Sequence, residues 1–106
     1  MDTPRPPLPP VVMNEQTERF ELTVDGETAF AEYKLHPGVL VLPHTVTPPA
    51  LEGRGIGSAL AKAALGYARL NHLKVKPFCP FMAGYIAKHP EWADVVHEDF
   101  RERLGI

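Results

Sequence analysis

Residues 51–60, LEGRGIGSAL, bring three glycines and an arginine together immediately before a helical pattern. The first amides of a helix have no acceptor within the helix and lie at the positive end of its dipole, so this position suits an anion such as a phosphate. Glycines at 53, 55 and 57 would let a phosphate approach those amides closely. A tight structural turn with close helix–sheet contact is the alternative, because a glycine cluster alone is a weak signal.

The two common nucleotide-binding motifs do not fit this turn. No Lys-Ser or Lys-Thr pair follows the glycines as in a P-loop, and the glycine spacing and βαβ start of a dinucleotide-binding fold are missing. The sequence also offers no paired carboxylates, no histidine cluster at ligand spacing and no serine triad, which argues against metal and hydrolase chemistry. The glycine turn is therefore the main candidate site.

Composition limits the partners of such a site. The chain has 106 residues, 44% of them hydrophobic, and a net charge of −2, which fits one globular domain without a basic surface for nucleic acid or anionic membrane. The single cysteine, Cys79, excludes an internal disulfide and fits a reducing compartment. No apolar run approaches the roughly 20 residues that cross a bilayer, and the first residues lack the apolar core of a signal peptide. We therefore expect a cytoplasmic protein with no nucleic-acid or membrane partner.

The sequence before the glycine turn predicts three antiparallel strands joined by two short turns. Apolar and polar residues alternate over 20–24 and 29–35, and the Asp-Gly pair at 25–26 is a strong hairpin signal. The Pro-Gly pair at 37–38 suits a type II turn before the third strand, VLVLPHTVT. Pro43 within that strand cannot donate to a ladder, so we expect the strand to be unpaired or bulged there.

Helices and one further strand follow the glycine turn. Apolar residues recur with the spacing of a helix packed on a sheet, namely Ile56, Ala59, Leu60, Ala63, Ala64, Tyr67 and Leu70. LKVKPF then predicts a short strand, PFMAGYIAKH a second helix that begins near Pro80, and EDFRERL a short terminal helix. The strands on either side of the first helix should pair in parallel. The predicted fold class is α+β.

The first ten residues contain five of the twelve prolines. Proline fixes φ and lacks a backbone amide hydrogen, so this stretch fits neither a helix nor the interior of a sheet. We predict a disordered, proline-rich tail over 1–13, with docking to a proline-binding partner as the alternative. One folded domain should cover 14–106.

Several separated segments resemble one known family. EGRGIGSAL is similar to the pyrophosphate-binding signature of the GNAT N-acetyltransferases, Q/R-x-x-G-x-G/A, with Gly55 and Gly57 at its glycine positions. One departure is Glu52, where the superfamily prefers Gln or Arg. HTVTPPALEGRGIGSALAKAALGYAR, KPFCPF and YIAKHPEW resemble the compact single-domain GNAT-like proteins, which share a His-Thr strand end, a Cys-Pro-Phe segment and a His-Pro-Glu-aromatic run. The resemblance covers roughly residues 14–97 and implies a compact GNAT-like fold within the α+β class.

The resemblance implies acetyl-CoA or CoA as cofactor and an amine as acceptor. The family inserts the pantetheine arm of CoA between two parallel strands that splay apart, and the pairing defect expected at Pro43 fits such a gap. The end of the third strand would then bind the pantetheine and the acetyl carbonyl, and the glycine turn would hold the pyrophosphate. Arg54, Lys62 or Lys76 would add charge-assisted contacts to the phosphates. The cofactor-binding residues implied in this way are Thr45, Val46, Thr47, Gly53, Arg54, Gly55, Ile56, Gly57, Ser58 and Cys79.

Three side chains are candidates for catalysis under this resemblance. Acetyl transfer needs a neutral amine, a polarised carbonyl, and a proton or positive dipole for the departing thiolate. His44, at the strand end, could remove the amine proton directly or through water, or it is a packed or capping histidine. Tyr85 lies where the superfamily often carries a tyrosine that protonates the leaving sulfur, or it is an ordinary core aromatic. Cys79 packs against the cofactor, which we prefer, or takes the acetyl group first as a nucleophile.

The chain has little room for an enclosed acceptor site. Typical GNAT enzymes are longer and wall the acceptor with additional amino-terminal helices, whereas a proline-rich tail precedes the first strand here. We therefore expect direct attack by the amine in an open cleft, with a protein lysine, a chain terminus or a polyamine as acceptor. An acyl-CoA-binding sensor or interaction module with little or no turnover is the alternative.

Overall fold

The computed structural model describes residues 8–106, and residues 1–7 of the predicted tail therefore lie outside the described residues. Within them the elements follow in the order β1 (Val12–Asn14), β2 (Arg19–Val24), β3 (Glu27–His36), β4 (Val39–Val46), α1 (Ile56–Leu70), β5 (Lys74–Lys76), α2 (Pro80–Lys88) and α3 (Glu98–Leu104). Short 3₁₀ turns cover Pro49–Leu51 and Pro90–Val95. None of the helices described here has the length and apolar character needed to cross a membrane.

These strands form one mixed sheet in sequence order. β1 to β4 pair as antiparallel neighbours, whereas β4 and β5 pair in parallel, from Val39 opposite Lys74 to Val41 opposite Lys76. The parallel pair confirms the crossover through α1 that the sequence predicts. The α+β class is confirmed as well. Both edge strands, β1 and β5, are three residues long.

The tight turns have the backbone conformations that their residue types predict. Asp25 and Gly26 have φ of 52° and 79°, and two positive φ values are the mark of a type I′ hairpin turn. Gly38 has φ of 72°, as the third residue of a type II turn requires. These two turns fix β2, β3 and β4 as neighbours.

Strand β1 is not predicted by the sequence analysis. The folded part was expected to begin at Asn14, yet β1 begins at Val12, and Leu8 and Val11 pack against the core. The signal for this strand is the apolar run Val11 to Met13, which directly follows the last proline of the tail. The neighbouring prolines conceal it because they dominate the local composition.

The core lies between one face of the sheet and the helices. The buried face of α1 differs from the predicted stripe: it comprises Ile56, Leu60, Ala61, Ala64, Leu65 and Ala68. Leu70 was predicted to be buried, but it is 80% exposed because the helix ends there. On the other face of the sheet the side chains are partly or fully exposed, and we call this the open face: Arg19, Glu21, Phe30, Glu32, His44 and Val46.

Candidate functional site

The glycine turn of residues 53–57 leads directly into helix α1. Gly53 and Gly55 have φ of 78° and 75°, in the left-handed region that residues with a Cβ rarely adopt. A Cβ at either position would meet open space, whereas a Cβ at Gly57 would lie 2.6 Å from Cζ of Phe81. The backbone conformation therefore favours glycine at 53 and 55, whereas a Cβ at 57 would require the exposed Phe81 ring to shift.

An open cavity of about 240 Å³ lies at this turn. Gly55 is the N-cap of α1, no side chain caps the helix, and the first helical hydrogen bond runs from Ala59 N to Gly55 O. The amides of the three residues between them therefore have no acceptor within the helix. Six predicted cofactor-binding residues are part of the lining, which comprises Thr47, Leu51, Glu52, Gly53, Gly55, Ile56, Gly57, Ser58 and Phe81.

Two basic side chains that were expected to assist phosphate binding, Arg54 and Lys76, pair with carboxylates instead. Arg54 Nη1 forms an ion pair with Asp25 Oδ2 at 3.5 Å. Lys76 Nζ lies 3.8 Å from Asp99 Oδ2. Neither basic side chain lines the cavity, whereas Glu52 does. An anion at this turn would therefore be bound by the amides and the helix dipole, against the charge of Glu52. Among residues 8–106, no group of three or more His, Cys, Asp or Glu is arranged to hold a metal ion.

Strand β4 loses its parallel partner halfway along its length. The ladder with β5 covers Val39–Val41, and one further backbone hydrogen bond joins the Cys79 amide to the Leu42 carbonyl at 3.0 Å. Beyond it, residues 43–46 have β3 on one side and no strand on the other within the described chain. Parallel pairing is therefore lost over the second half of β4, where the resemblance implies a gap, because β5 ends at Lys76. This unpaired part of β4 leads into the cavity, because Thr47, the residue after β4, is part of the lining.

A β-bulge determines which way the end of β4 faces. Two residues of β4, Leu42 and Pro43, lie opposite one residue of β3, Tyr33. This confirms the pairing defect predicted at Pro43. Leu42 is buried in the core, and strict alternation would turn His44 to the core as well. The extra residue reverses the alternation beyond this point.

Because of the bulge, Thr45 rather than His44 faces the core. His44 lies opposite Glu32 on the open face and is exposed, whereas Thr45 lies opposite Ala31, which belongs to the core. The Thr45 hydroxyl accepts a hydrogen bond from Cys79 Sγ at 3.3 Å. Cys79 is 4% exposed and is the N-cap of α2. The side chains of His44 and Cys79 therefore lie on opposite faces of the sheet at the unpaired part of β4.

Tyr85 lies in α2 and is not part of the cavity lining. It is 7% exposed, and its ring stacks on that of His89 with the centroids 4.2 Å apart. Its hydroxyl makes no hydrogen bond to another described residue, yet no polar side-chain atom there is buried without a partner, so the hydroxyl reaches solvent. The structure does not bring Tyr85 together with the glycine turn, and its role as an acid stays a prediction.

Phe81 is a cavity residue from a distant part of the sequence that was not predicted as a site residue. It is 43% exposed and lies in the first turn of α2, off the buried face formed by Met82, Tyr85 and Ile86. An exposed aromatic ring in a cavity lining is a signal for ligand contact. To recognise Phe81 as exposed, one must know which face of α2 is buried. A helix of nine residues is too short for the sequence pattern to define that face well.

The mixed sheet, the glycine turn and the unpaired end of β4 together are typical of one class of protein. The model of the family described as GCN5-related N-acetyl-transferase matches residues 19–95, most of the chain. The chain therefore belongs to the GCN5-related N-acetyltransferase family, and the resemblance stated from sequence is confirmed.

Individual relatives agree with this assignment. Protein NATD1 of Gallus gallus is 31% identical over 87 residues, which cover 76% of this chain and 78% of the relative. Protein NATD1 of Mus musculus is 38% identical over 80 residues, 73% of each chain. Protein NATD1 of Homo sapiens is 38% identical over 52 residues, 49% of this chain and 46% of the relative.

Proposed function

We propose that this protein is an acetyl-CoA-dependent N-acetyltransferase in which an amine attacks the acetyl group directly in an open cleft. The observation that carries the proposal is the loss of the parallel partner of β4 at residues 43–46, immediately before the cavity at the glycine turn. Membership of the GNAT family supports the same activity.

The residues present fit CoA in two places. The uncapped first-turn amides of α1 suit the pyrophosphate. The free edge of β4 over 43–46 offers backbone groups to the amides of the pantetheine arm, as a sheet edge does to an added strand. When bound, acetyl-CoA supplies an activated acetyl thioester.

His44 is the proposed general base. Its side chain is exposed on the open face, beside the unpaired part of β4, where an amine arriving from solvent can reach it. Neutral imidazole accepts a proton near neutral pH. Thr45 and Cys79 lie on the other face, so an amine that approaches from the open face meets His44 first.

Cys79 is proposed to pack against the acetyl end of the cofactor rather than to carry the acetyl group. Its thiol is buried and donates a hydrogen bond to the Thr45 hydroxyl. An attacking thiol needs an adjacent base or a strongly stabilised thiolate, and a hydroxyl is not such a base. Tyr85 is the proposed proton source for the leaving thiolate, because its hydroxyl reaches solvent and the family often carries a tyrosine on this helix.

The open face suits a large acceptor. Its side chains are partly or fully exposed over β2, β3 and β4. We propose a protein lysine, a chain terminus or a polyamine as acceptor, in the cytoplasm.

Mass spectrometry combined with an acceptor panel tests this function. CoA retained by the purified protein in a native spectrum would support the cofactor, and acetyl mass on Cys79 in a denatured spectrum would redirect the mechanism to a covalent route. The panel contains a lysine peptide, a peptide with a free amino terminus and a polyamine. CoA binding with no transfer to any of them would overturn the enzyme proposal.

One observation favours a second function, an acyl-CoA-binding sensor with little or no turnover. Glu52 lines the cavity while Arg54 and Lys76 do not, so the site offers an anion less charge compensation than the resemblance implies. The acceptor panel separates the two functions.

A further inference from the structure

We propose that Glu32 recognises the acceptor, by binding its ammonium group beside His44, and so selects alkylammonium acceptors over amines that are uncharged at neutral pH. The inference rests on the proposed transferase function and adds to it the chemical class of the acceptor. It is carried by three observations: the position of Glu32, the absence of a protein partner for its carboxylate, and the orientation of the arginine opposite it on β2.

Glu32 lies on the same face of the sheet as His44. The two residues are directly opposite each other on β3 and β4, and the Cβ atoms of such a pair are about 4.5–5.5 Å apart. The neighbours of Glu32 along β3, Ala31 and Tyr33, are buried in the core at 0% and 4% exposure. Since side chains alternate along a strand, Glu32 faces away from the core, toward the amine that approaches His44.

The carboxylate of Glu32 has no protein partner. Within residues 8–106 it is the one partly buried carboxylate that makes neither a hydrogen bond nor an ion pair. The other partly buried carboxylates are satisfied: Glu18 binds Lys34 at 2.8 Å, and Glu21 accepts a hydrogen bond from Asn14 at 3.0 Å. A partly desolvated charge without a partner is costly, and a cationic ligand would supply the missing partner.

A nearby cation is directed elsewhere. Arg19 lies opposite Glu32 on β2, but its guanidinium is placed over the ring of Phe30, with Cζ 3.9 Å from the ring centroid. This cation–π contact holds the arginine away from the carboxylate. In the row Arg19, Glu32 and His44, the carboxylate is therefore available on its His44 side.

The chemistry needs such a group because an alkyl amine arrives as an ammonium ion at neutral pH. Glu32 accepts charge-assisted hydrogen bonds from the ammonium, and His44 removes one proton. The neutral nitrogen then forms a bond to the acetyl carbon as the carbon–sulfur bond breaks. Of the two protons that the ammonium loses, one goes to His44 and the second neutralises the thiolate, through Tyr85 or water.

Steady-state kinetics with the full chain and acetyl-CoA test the inference. Glu32→Gln keeps the shape of the side chain and removes its charge, so the KM for a lysine peptide should rise about 10-fold or more, starting near the lower end of the cost of a lost hydrogen bond to a charged group. The KM for acetyl-CoA should not change. Glu32→Asp should recover part of the loss, because it keeps the charge. Activity toward an arylamine, which is uncharged at neutral pH, should be low in the unsubstituted protein and unaffected by Glu32→Gln.

Glu27→Gln is the matched control, because Glu27 is an exposed carboxylate on the same strand without a protein partner. It should leave every KM unchanged. An unchanged lysine-peptide KM in Glu32→Gln would overturn the inference and leave the proposed function standing. Equal losses in Glu32→Gln and Glu32→Asp, or equal losses for both acceptors, would also overturn it. No transfer by the unsubstituted protein to any amine would remove both proposals, whereas retained CoA would still establish the cofactor.

Discussion

At the scale of single residues, His44 can be replaced with little risk to the fold because its side chain is exposed on the open face. His44→Gln should lower kcat by about 10²-fold, a typical size for a lost general base. It should also remove the acid limb from the pH profile of kcat/KM for the amine. Calorimetric titration should give an unchanged CoA affinity, since His44 does not line the cavity. An acid limb that persists would assign the base to another group.

Cys79 separates direct from covalent transfer. Cys79→Ser keeps a donor for the Thr45 hydroxyl and nearly the same volume, so direct attack predicts only a small loss of turnover and sequential kinetics. A covalent route predicts ping-pong kinetics in the unsubstituted protein and complete loss in the variant. A Cys79→Ser protein that is folded, binds CoA normally and has no activity would therefore exclude direct attack.

At the scale of elements, the turn before α1 carries a carboxylate where the pyrophosphate is proposed to bind. Glu52→Gln removes the repulsion and should tighten CoA binding several-fold at low salt. The gain should shrink at higher salt because screening weakens the repulsion. Titration calorimetry at two ionic strengths measures both effects. Equal affinities of the variant and the unsubstituted protein at low salt would place the pyrophosphate away from this turn.

Replacing Gly55 and Gly66 of the α1 region by alanine should have opposite effects on stability. A Cβ at Gly55 or at Gly66 would meet open space, but only Gly55 has a positive φ. Gly66→Ala should raise the free energy of unfolding by about 0.5–1 kcal/mol, because alanine favours a helix interior. Gly55→Ala should lower it by about 1–2 kcal/mol and weaken CoA binding. Urea denaturation measures both changes, and a Gly55→Ala protein of unchanged stability would contradict the left-handed turn.

The end of α1 is clamped to the second 3₁₀ turn through Arg69. Its guanidinium binds the Asp94 carboxylate, donates to the Glu91 carbonyl at 2.8 Å and lies 4.3 Å from the centre of the Trp92 ring. The hydrogen bond from Arg69 lowers the pKa of Asp94 below its ordinary value. A carboxyl whose pKa is lowered by folding stabilises the protein above its unfolded-state pKa, and the stabilisation is lost as pH falls through the folded-state pKa.

Asp94→Asn should therefore lower the free energy of unfolding at neutral pH. The effect should be modest because the Asp94 side chain is 61% exposed. The stability difference from the unsubstituted protein should shrink as the solution is made strongly acidic. Denaturation curves over a pH series measure it, and a difference that stays constant with pH would show that the ion pair does not contribute.

The elements were predictable where the signal is local. The Asp-Gly and Pro-Gly turns, the cap glycine of α1 and the defect at Pro43 each follow from the conformational limits of one or two residues. The phase of α1 and the contact between Gly57 and Phe81 were not predictable, because they depend on distances between elements. The unpaired carboxylate of Glu32 has no sequence signal, since it depends on the register across the bulge.

At the scale of the whole molecule, CoA should stabilise the fold by mass action. A ligand at a hundredfold its Kd adds about 2.7 kcal/mol, which corresponds to a rise in Tm of about 10 °C or more for a domain of this size. Thermal denaturation followed by circular dichroism measures the shift. Pantetheine, which lacks the pyrophosphate, should shift Tm less at the same concentration. Equal shifts would mean that the glycine turn contributes nothing to binding.

The two edge strands bear on how the protein behaves in concentrated solution. Exposed strand edges carry unpaired amides and carbonyls that can template pairing with another chain, and short edges or lysines on them oppose such aggregation. β1 and β5 are three residues long, β5 begins and ends with lysine, and Val75 of β5 forms a bridge to Val96. The short borders and the lysines of β5 therefore oppose the pairing of one sheet with another, although the open face itself is not covered.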